Sequence, residues 1–134
     1  MLLAEQRISS DDLDKLDDQY EGRIVHAWQD PLPRRNGKEA PKGAVAWECV
    51  FRAPNRRELA LFAQQTDAAA SPATRSKAAD MLAMTCVIHV SGGAKGNARE
   101  DFDALLETWP GIPARVATAL GKIAGFEAEQ VEKG

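Results

Sequence analysis

Lys77-Ala78-Ala79-Asp80-Met81-Leu82-Ala83-Met84-Thr85-Cys86-Val87-Ile88-His89-Val90 is apolar on most of its sides. The run predicts a helix, the central and most buried one of the chain. Ser71-Pro72 opens it in the favoured N-cap and N1 arrangement. Ser91-Gly92-Gly93-Ala94-Lys95-Gly96-Asn97 breaks it, and Asn97 can cap whatever follows. Beyond the break, Phe102, Leu105, Leu106 and Trp109 step i, i+3, i+4, i+7, and so do Val116, Ala119, Leu120 and Ile123. Each set is one stripe of an amphipathic helix, and Trp109-Pro110-Gly111-Ile112-Pro113 forms the corner between them. Both helices bury a single face, so they must pack on each other and on something else.

Upstream, Arg23 to Gln29 has strand character, with Ile24, His26 and Trp28 on one face and Val25 and Ala27 on the other. Ala44 to Arg52 alternates in the same way, Val45, Trp47, Cys49 and Phe51 against Ala46, Glu48 and Val50. Between them Pro31, Pro33, Gly37, Pro41 and Gly43 alternate with Arg34, Arg35, Lys38 and Lys42, which predicts a long, exposed, basic loop. The two strands then form an antiparallel hairpin across that loop, and helices must cover its apolar face, because two strands alone are marginal in water. Pro54 ends the second strand. Asn55-Arg56-Arg57-Glu58 is a capping-box start for a short helix striped by Leu59, Phe62 and Ala63. The predicted architecture is α+β: an N-terminal two-stranded antiparallel β-hairpin followed by a bundle of about four helices. Residues 1–20 are an acidic arm or short helix with Ser9 or Ser10 as N-cap, residues 21–126 form a single domain, and residues 127–134 are a flexible tail.

A chain of 134 residues with 44% hydrophobic content suffices for one domain with a genuine core. The net charge of -3 gives no general reason to expect nucleic acid as a partner. Charge is unevenly spread: residues 1–21 are net -5 and residues 23–57 net +5, so the two can pair within the chain or between copies. Cys49 and Cys86 lie in apolar runs rather than in a spaced framework, which suits a reducing compartment. With no apolar stretch of membrane-span length and no secretory leader at Met1-Leu2-Leu3-Ala4-Glu5, a cytoplasmic protein without membrane association is expected.

Candidate chemistry is sparse. Cys86 and His89 stand i, i+3 in the apolar run, and Cys49 and His26 could complete a tetrahedral zinc set, but the spacing matches no compact zinc module and a buried thiol needs no metal. The glycine-rich break lacks the Walker spacing around Lys95 and is better taken as a connector than as an anion cradle. Ser91 lies two residues from His89, a spacing that does not define a triad, and the carboxylates of residues 11–18 fall in an exposed run. No enzymatic activity and no cofactor are expected.

The strand pair, the turn Phe51-Arg52-Ala53-Pro54-Asn55-Arg56-Arg57-Glu58 into a helix, and Phe102-Asp103-Ala104-Leu105-Leu106 leading to the Trp109–Pro113 corner together resemble the tail assembly chaperone-like proteins of tailed phages and prophages. The resemblance covers about residues 20–126. It implies a non-enzymatic chaperone that binds the long, aggregation-prone tape measure protein while tail tube protein, a second candidate partner, assembles around it. A homo-oligomer is also a candidate state, since such a chaperone gains from several low-affinity contacts along one client. On that footing Leu59, Phe62, Met81, Met84, Phe102, Leu106 and Trp109 are the candidate client-binding residues, with Arg34, Arg35, Lys38 and Lys42 as charged partner contacts. The alternative function is a prophage-encoded regulator that binds and inhibits a host protein or DNA through the basic loop.

Overall fold

The computed structural model describes residues 1–67 and 69–125. Its elements are α1 (Ser10–Gln19), β1 (Ile24–Gln29), β2 (Trp47–Arg52), α2 (Arg56–Gln65), α3 (Pro72–Cys86), β3 (Val87–Val90), α4 (Ala98–Leu106) and α5 (Ile112–Ile123), preceded by a 3-10 turn at Ala4–Gln6. The predicted tail, residues 127–134, lies outside the described residues.

The predicted two-stranded hairpin with a four-helix bundle is overturned. The sheet has three antiparallel strands in the order β1-β2-β3, and five α-helices surround it among the described residues. The difference originates in the run Lys77–Val90, which is two elements. Its helix stops at Cys86, and Val87 turns directly into an extended conformation (φ -64°, ψ 129°) with no loop between. Val87, Ile88 and Val90 are β-branched, which favours a strand over a helix. The second edge of β2 is open to receive them: Cys49 faces Val90, Val50 faces His89 and Phe51 faces Val87, with a bulge between Val50 and Phe51. Ser91 carries the ladder one residue further, its amide donating to the Glu48 carbonyl at 3.0 Å. Gly92 then supplies a positive φ of 75° and packs against Leu2, where a larger residue would collide.

On its other edge β2 pairs with β1 from Ile24↔Arg52 to Gln29↔Trp47. The second strand starts at Trp47 rather than Ala44, because Val45 exchanges two backbone hydrogen bonds (2.7 and 3.0 Å) with Leu2 at the chain start. The loop between the strands has no regular structure and is largely exposed.

Local signals account for the helix starts. Ser9, Asn55, Ser71 and Asn97 each accept backbone amides of the first turn of α1, α2, α3 and α4, and Asn55 with Glu58 completes a reciprocal capping box. The corner at Trp109–Pro113 joins α4 to α5. One core results, in which Trp47, Cys49 and Phe51 of β2 meet Leu82, Ala83 and Cys86 of α3, Phe102 of α4 and Ile112, Val116 and Leu120 of α5. Phe51 and Phe102 meet edge to face with centroids 5.5 Å apart.

Candidate functional site

α2 is tied down chiefly at its start. Arg52, at the end of β2, makes a fork of two 2.9 Å bonds to the Glu58 carboxylate and donates to the Thr85 carbonyl of α3 at 3.2 Å. The Glu58 carboxylate also accepts the Asn55 amide at 2.8 Å. The Arg52 fork is the leading reason that the Glu58 carboxyl lies below the usual carboxylate range, against an opposing push from burial. Beyond this anchor α2 has no fully buried residue and packs on α3. A shallow groove of about 90 Å³ runs between them, floored by Phe62, Ala78 and Leu82 and flanked by Glu58, Gln65 and Thr85. Leu61 and Met81 line it with their side chains 53% and 52% exposed, the most exposed apolar pair outside the chain start and the basic loop.

The predicted client residues are spread over several environments. Phe62 and Met81 meet at this groove. Leu59 is half-buried on the same helix, and Met84 is half-buried against the core. Phe102 is fully buried. Leu106 and Trp109 are half-buried against the core at the α4–α5 corner, where Trp109 borders a separate hollow of about 210 Å³ with Trp47, Gln29 and Arg115. Leu61 is absent from the sequence-based set, although it neighbours Phe62; an exposed leucine in a short helix carries no periodic signal of its own.

The predicted charged contacts, Arg34, Arg35, Lys38 and Lys42, are all exposed on the loop, and no side-chain hydrogen bond or ion pair links them to other described residues.

The opposite, outer face of the sheet holds a polar cluster that the sequence did not announce. Glu48 is 1% exposed. Its Oε2 accepts from Arg7 Nε (3.0 Å), Arg7 Nη2 (2.8 Å) and His26 Nε2 (2.7 Å). Its Oε1 accepts from the Ile8 amide (2.9 Å) and Ser91 Oγ (2.7 Å). Burial pushes the Glu48 pKa up, but bonds from Ser91, Arg7, Ile8 and His26 outweigh it and hold the group at about 2. An ionised carboxylate only accepts, so Ser91 spends its proton on Glu48 and takes one from His89 Nε2, 3.1 Å away. That is the reverse of a nucleophile pair, in which histidine accepts from serine. Burial also lowers the His89 pKa, partly offset by Glu48.

The four zinc candidates are not brought together. Cys49 and Cys86 are buried in the inner core, while His26 and His89 lie on the outer face with Glu48. Burial raises the pKa of both thiols, Cys86 to about 11, so neither is a ready thiolate. Among the described residues no group of three or more His, Cys, Asp or Glu is arranged to hold a metal. The glycine-rich connector folds onto α4, its Lys95 amide donating to the Asp101 carboxylate at 2.9 Å, so a side chain of the protein itself occupies the place an anion would take. No described helix is long and apolar enough to cross a membrane.

No protein-family model, curated protein or solved structure matches the chain.

Proposed function

We propose that this protein is a non-enzymatic chaperone that seats a helix of its client in the α2–α3 groove, the client being the tape measure protein of a phage tail. The observation that carries the binding mode is the pairing of Leu61 of α2 with Met81 of α3, half exposed above Phe62, Ala78 and Leu82, with α2 having no fully buried residue of its own. An amphipathic client helix presents apolar side chains at i, i+3 or i+4 and i+7, and two such anchors match a groove between two helices. Methionine adapts its shape to different apolar partners. The identity of the client rests on the sequence resemblance alone.

The magnitudes favour a weak, repeated contact. Fully burying one Leu or Met side chain is worth about 1.5–3 kcal/mol, and both are already half covered, so one groove supplies only a few kcal/mol. A long client with many amphipathic turns makes up the difference by engaging several copies.

Co-expression with the long helical protein encoded in the same operon tests the proposal. The expected result is a soluble complex whose client precipitates when made alone, and which Leu61→Asp or Met81→Asp disrupts. A client that stays soluble unaided and forms no complex overturns it. A second reading, regulation of a host protein or DNA through the basic loop, draws on the exposed Arg34, Arg35, Lys38 and Lys42. Loss of partner capture on reversing those four charges, with the groove variants unaffected, is its signature.

A further inference from the structure

β1 is an edge strand, and nothing in its sequence protects it. Natural edge strands carry lysine, proline or a bulge that blocks further pairing. Ile24-Val25-His26-Ala27-Trp28-Gln29 has no lysine or proline, and its register with β2 is unbroken. The hydrogen-bond ladder fixes which backbone groups are open. The Ala53 amide donates to the Arg23 carbonyl and the Ala46 amide to the Gln29 carbonyl, whereas the Glu48 carbonyl points the other way, to Ser91 of the β3 side. Val25, Ala27 and Gln29 therefore direct their backbone groups at β2, and Ile24, His26 and Trp28 direct theirs outward. Trp28 is 44% exposed and held in place by the His26 ring (4.9 Å) and the Arg7 guanidinium (5.6 Å).

The exposed residues directly flanking this strand are Arg23 and Asp30, which an antiparallel partner strand also sets beside each other. Beyond them the charges at the two ends differ in sign, leaving one end net acidic and the other net basic. α1 delivers Asp17 and Asp18, and the turn after it Glu21, to the N-terminal end of β1; the basic loop leaves its C-terminal end with Arg34, Arg35 and Lys38. All six side chains are exposed.

We propose that a second copy of this chain adds its β1 antiparallel to this edge, making a continuous six-stranded sheet about a two-fold axis. The antiparallel sense follows from the charges: it sets the acidic end of each strand beside the basic end of the other, twice over, whereas a parallel arrangement sets like beside like. Centring the axis on His26 pairs every outward-facing residue, and brings Ile24 against Trp28 of the other copy on the outer face, an aliphatic–aromatic cross-strand pair. The contact lies at the sheet edge, apart from the α2–α3 groove, so the dimer stands or falls independently of client binding.

Sedimentation velocity on the full chain, over a concentration series at low and high salt, tests this together with amide exchange. The expected result is a reversible dimer weakened by salt, in which the Ile24, His26 and Trp28 amides slow as the dimer fills. Trp28→Pro removes an outward N–H without touching the ladder to β2, and is expected to abolish the dimer while far-ultraviolet circular dichroism is retained. Asp17→Lys with Asp18→Lys, and separately Arg34→Glu with Arg35→Glu, are each expected to weaken it about tenfold or more, and an equimolar mixture of the two is expected to recover it as a heterodimer. A monomer at every concentration in low salt overturns the proposal, as does a dimer that the proline and both charge variants leave intact. Should Trp28→Pro fail to fold, the charge-reversed pair decides by itself.

Discussion

On the inner face of β2, Trp47, Cys49 and Phe51 meet α3, α4 and α5 with no polar atom to satisfy beyond the Trp47 indole, whose N–H donates to Gln29 at 3.2 Å. One residue along, on the outer face, Glu48 is as deeply buried but accepts five hydrogen bonds drawn from Arg7, Ile8, His26 and Ser91. The inner face is held by area, which tolerates any arrangement that fills the space. The outer face is held by direction: only a chain start that brings Arg7 and Ile8 to this carboxylate satisfies it. Non-directional burial supplies most of the stability, and the polar cluster specifies where the first eight residues lie.

The largest test falls on the inner face. Phe102→Ala removes a fully buried ring that meets Phe51 edge to face. The expected loss is about 3–5 kcal/mol, read as a lower denaturant midpoint at unchanged m-value. For a domain with a net stability of about 5–15 kcal/mol this is a large fraction, and a small loss would mean that α4 packs less tightly on the sheet than the full burial of Phe102 implies.

The outer face is expected to respond less and differently. Glu48→Gln places an amide N–H against donors from Arg7 and His26, or leaves them short of an acceptor. Removing one partner of a buried ion pair costs about 3–5 kcal/mol, but the Arg7 and His26 side chains are 24% exposed and can turn to water, so about 1–3 kcal/mol is expected. A proteolytic clip ahead of α1 is expected to quicken with it, because Arg7 and Ile8 lose their anchor. The pH dependence is more specific. The Glu48 pKa falls from 4.5 to about 2 on folding, so its contribution is complete above pH 4.5 and disappears as the pH drops through about 2. That span corresponds to ~3 kcal/mol, and Glu48→Gln is expected to flatten the stability profile across it. His89, its pKa lowered by burial, adds a fall in stability beginning below its ordinary value of 6.5, a phase that the Glu48 variant is expected to deepen, because the carboxylate partly offsets that lowering.

The same contrast explains what could be foreseen from sequence. The inner face follows from alternation in Trp47–Phe51 and from the stripes of α4 and α5, and the helix starts follow from Ser9, Asn55, Ser71 and Asn97. These are signals within a few residues of each other. β3 escaped because no glycine or proline separates Cys86 from Val87, and four residues are too few for a period of two to stand out from an apolar helix. The Glu48 cluster escaped because its partners are 41, 40, 22 and 43 residues away. A charged residue in an alternating strand was the one local clue, and by itself it is what an exposed sheet face also looks like.

The smallest expected effect on stability is the most informative about function. Leu61 and Met81 belong to neither face of the sheet; they sit on the outer surface of the α2–α3 pair, each more than half exposed. Substituting either with aspartate removes little buried area, so stability should change by no more than about 0.5 kcal/mol, unlike Phe102→Ala. Client capture should nevertheless fall, because a carboxylate placed in an apolar contact must be desolvated without a partner. Unchanged capture by both variants, with Phe102→Ala reducing it only in step with unfolding, would remove the α2–α3 groove from the binding surface. The half-buried Leu106 and Trp109 at the α4–α5 corner would then be the place to look, beside the hollow that Trp109 shares with Trp47 and Arg115.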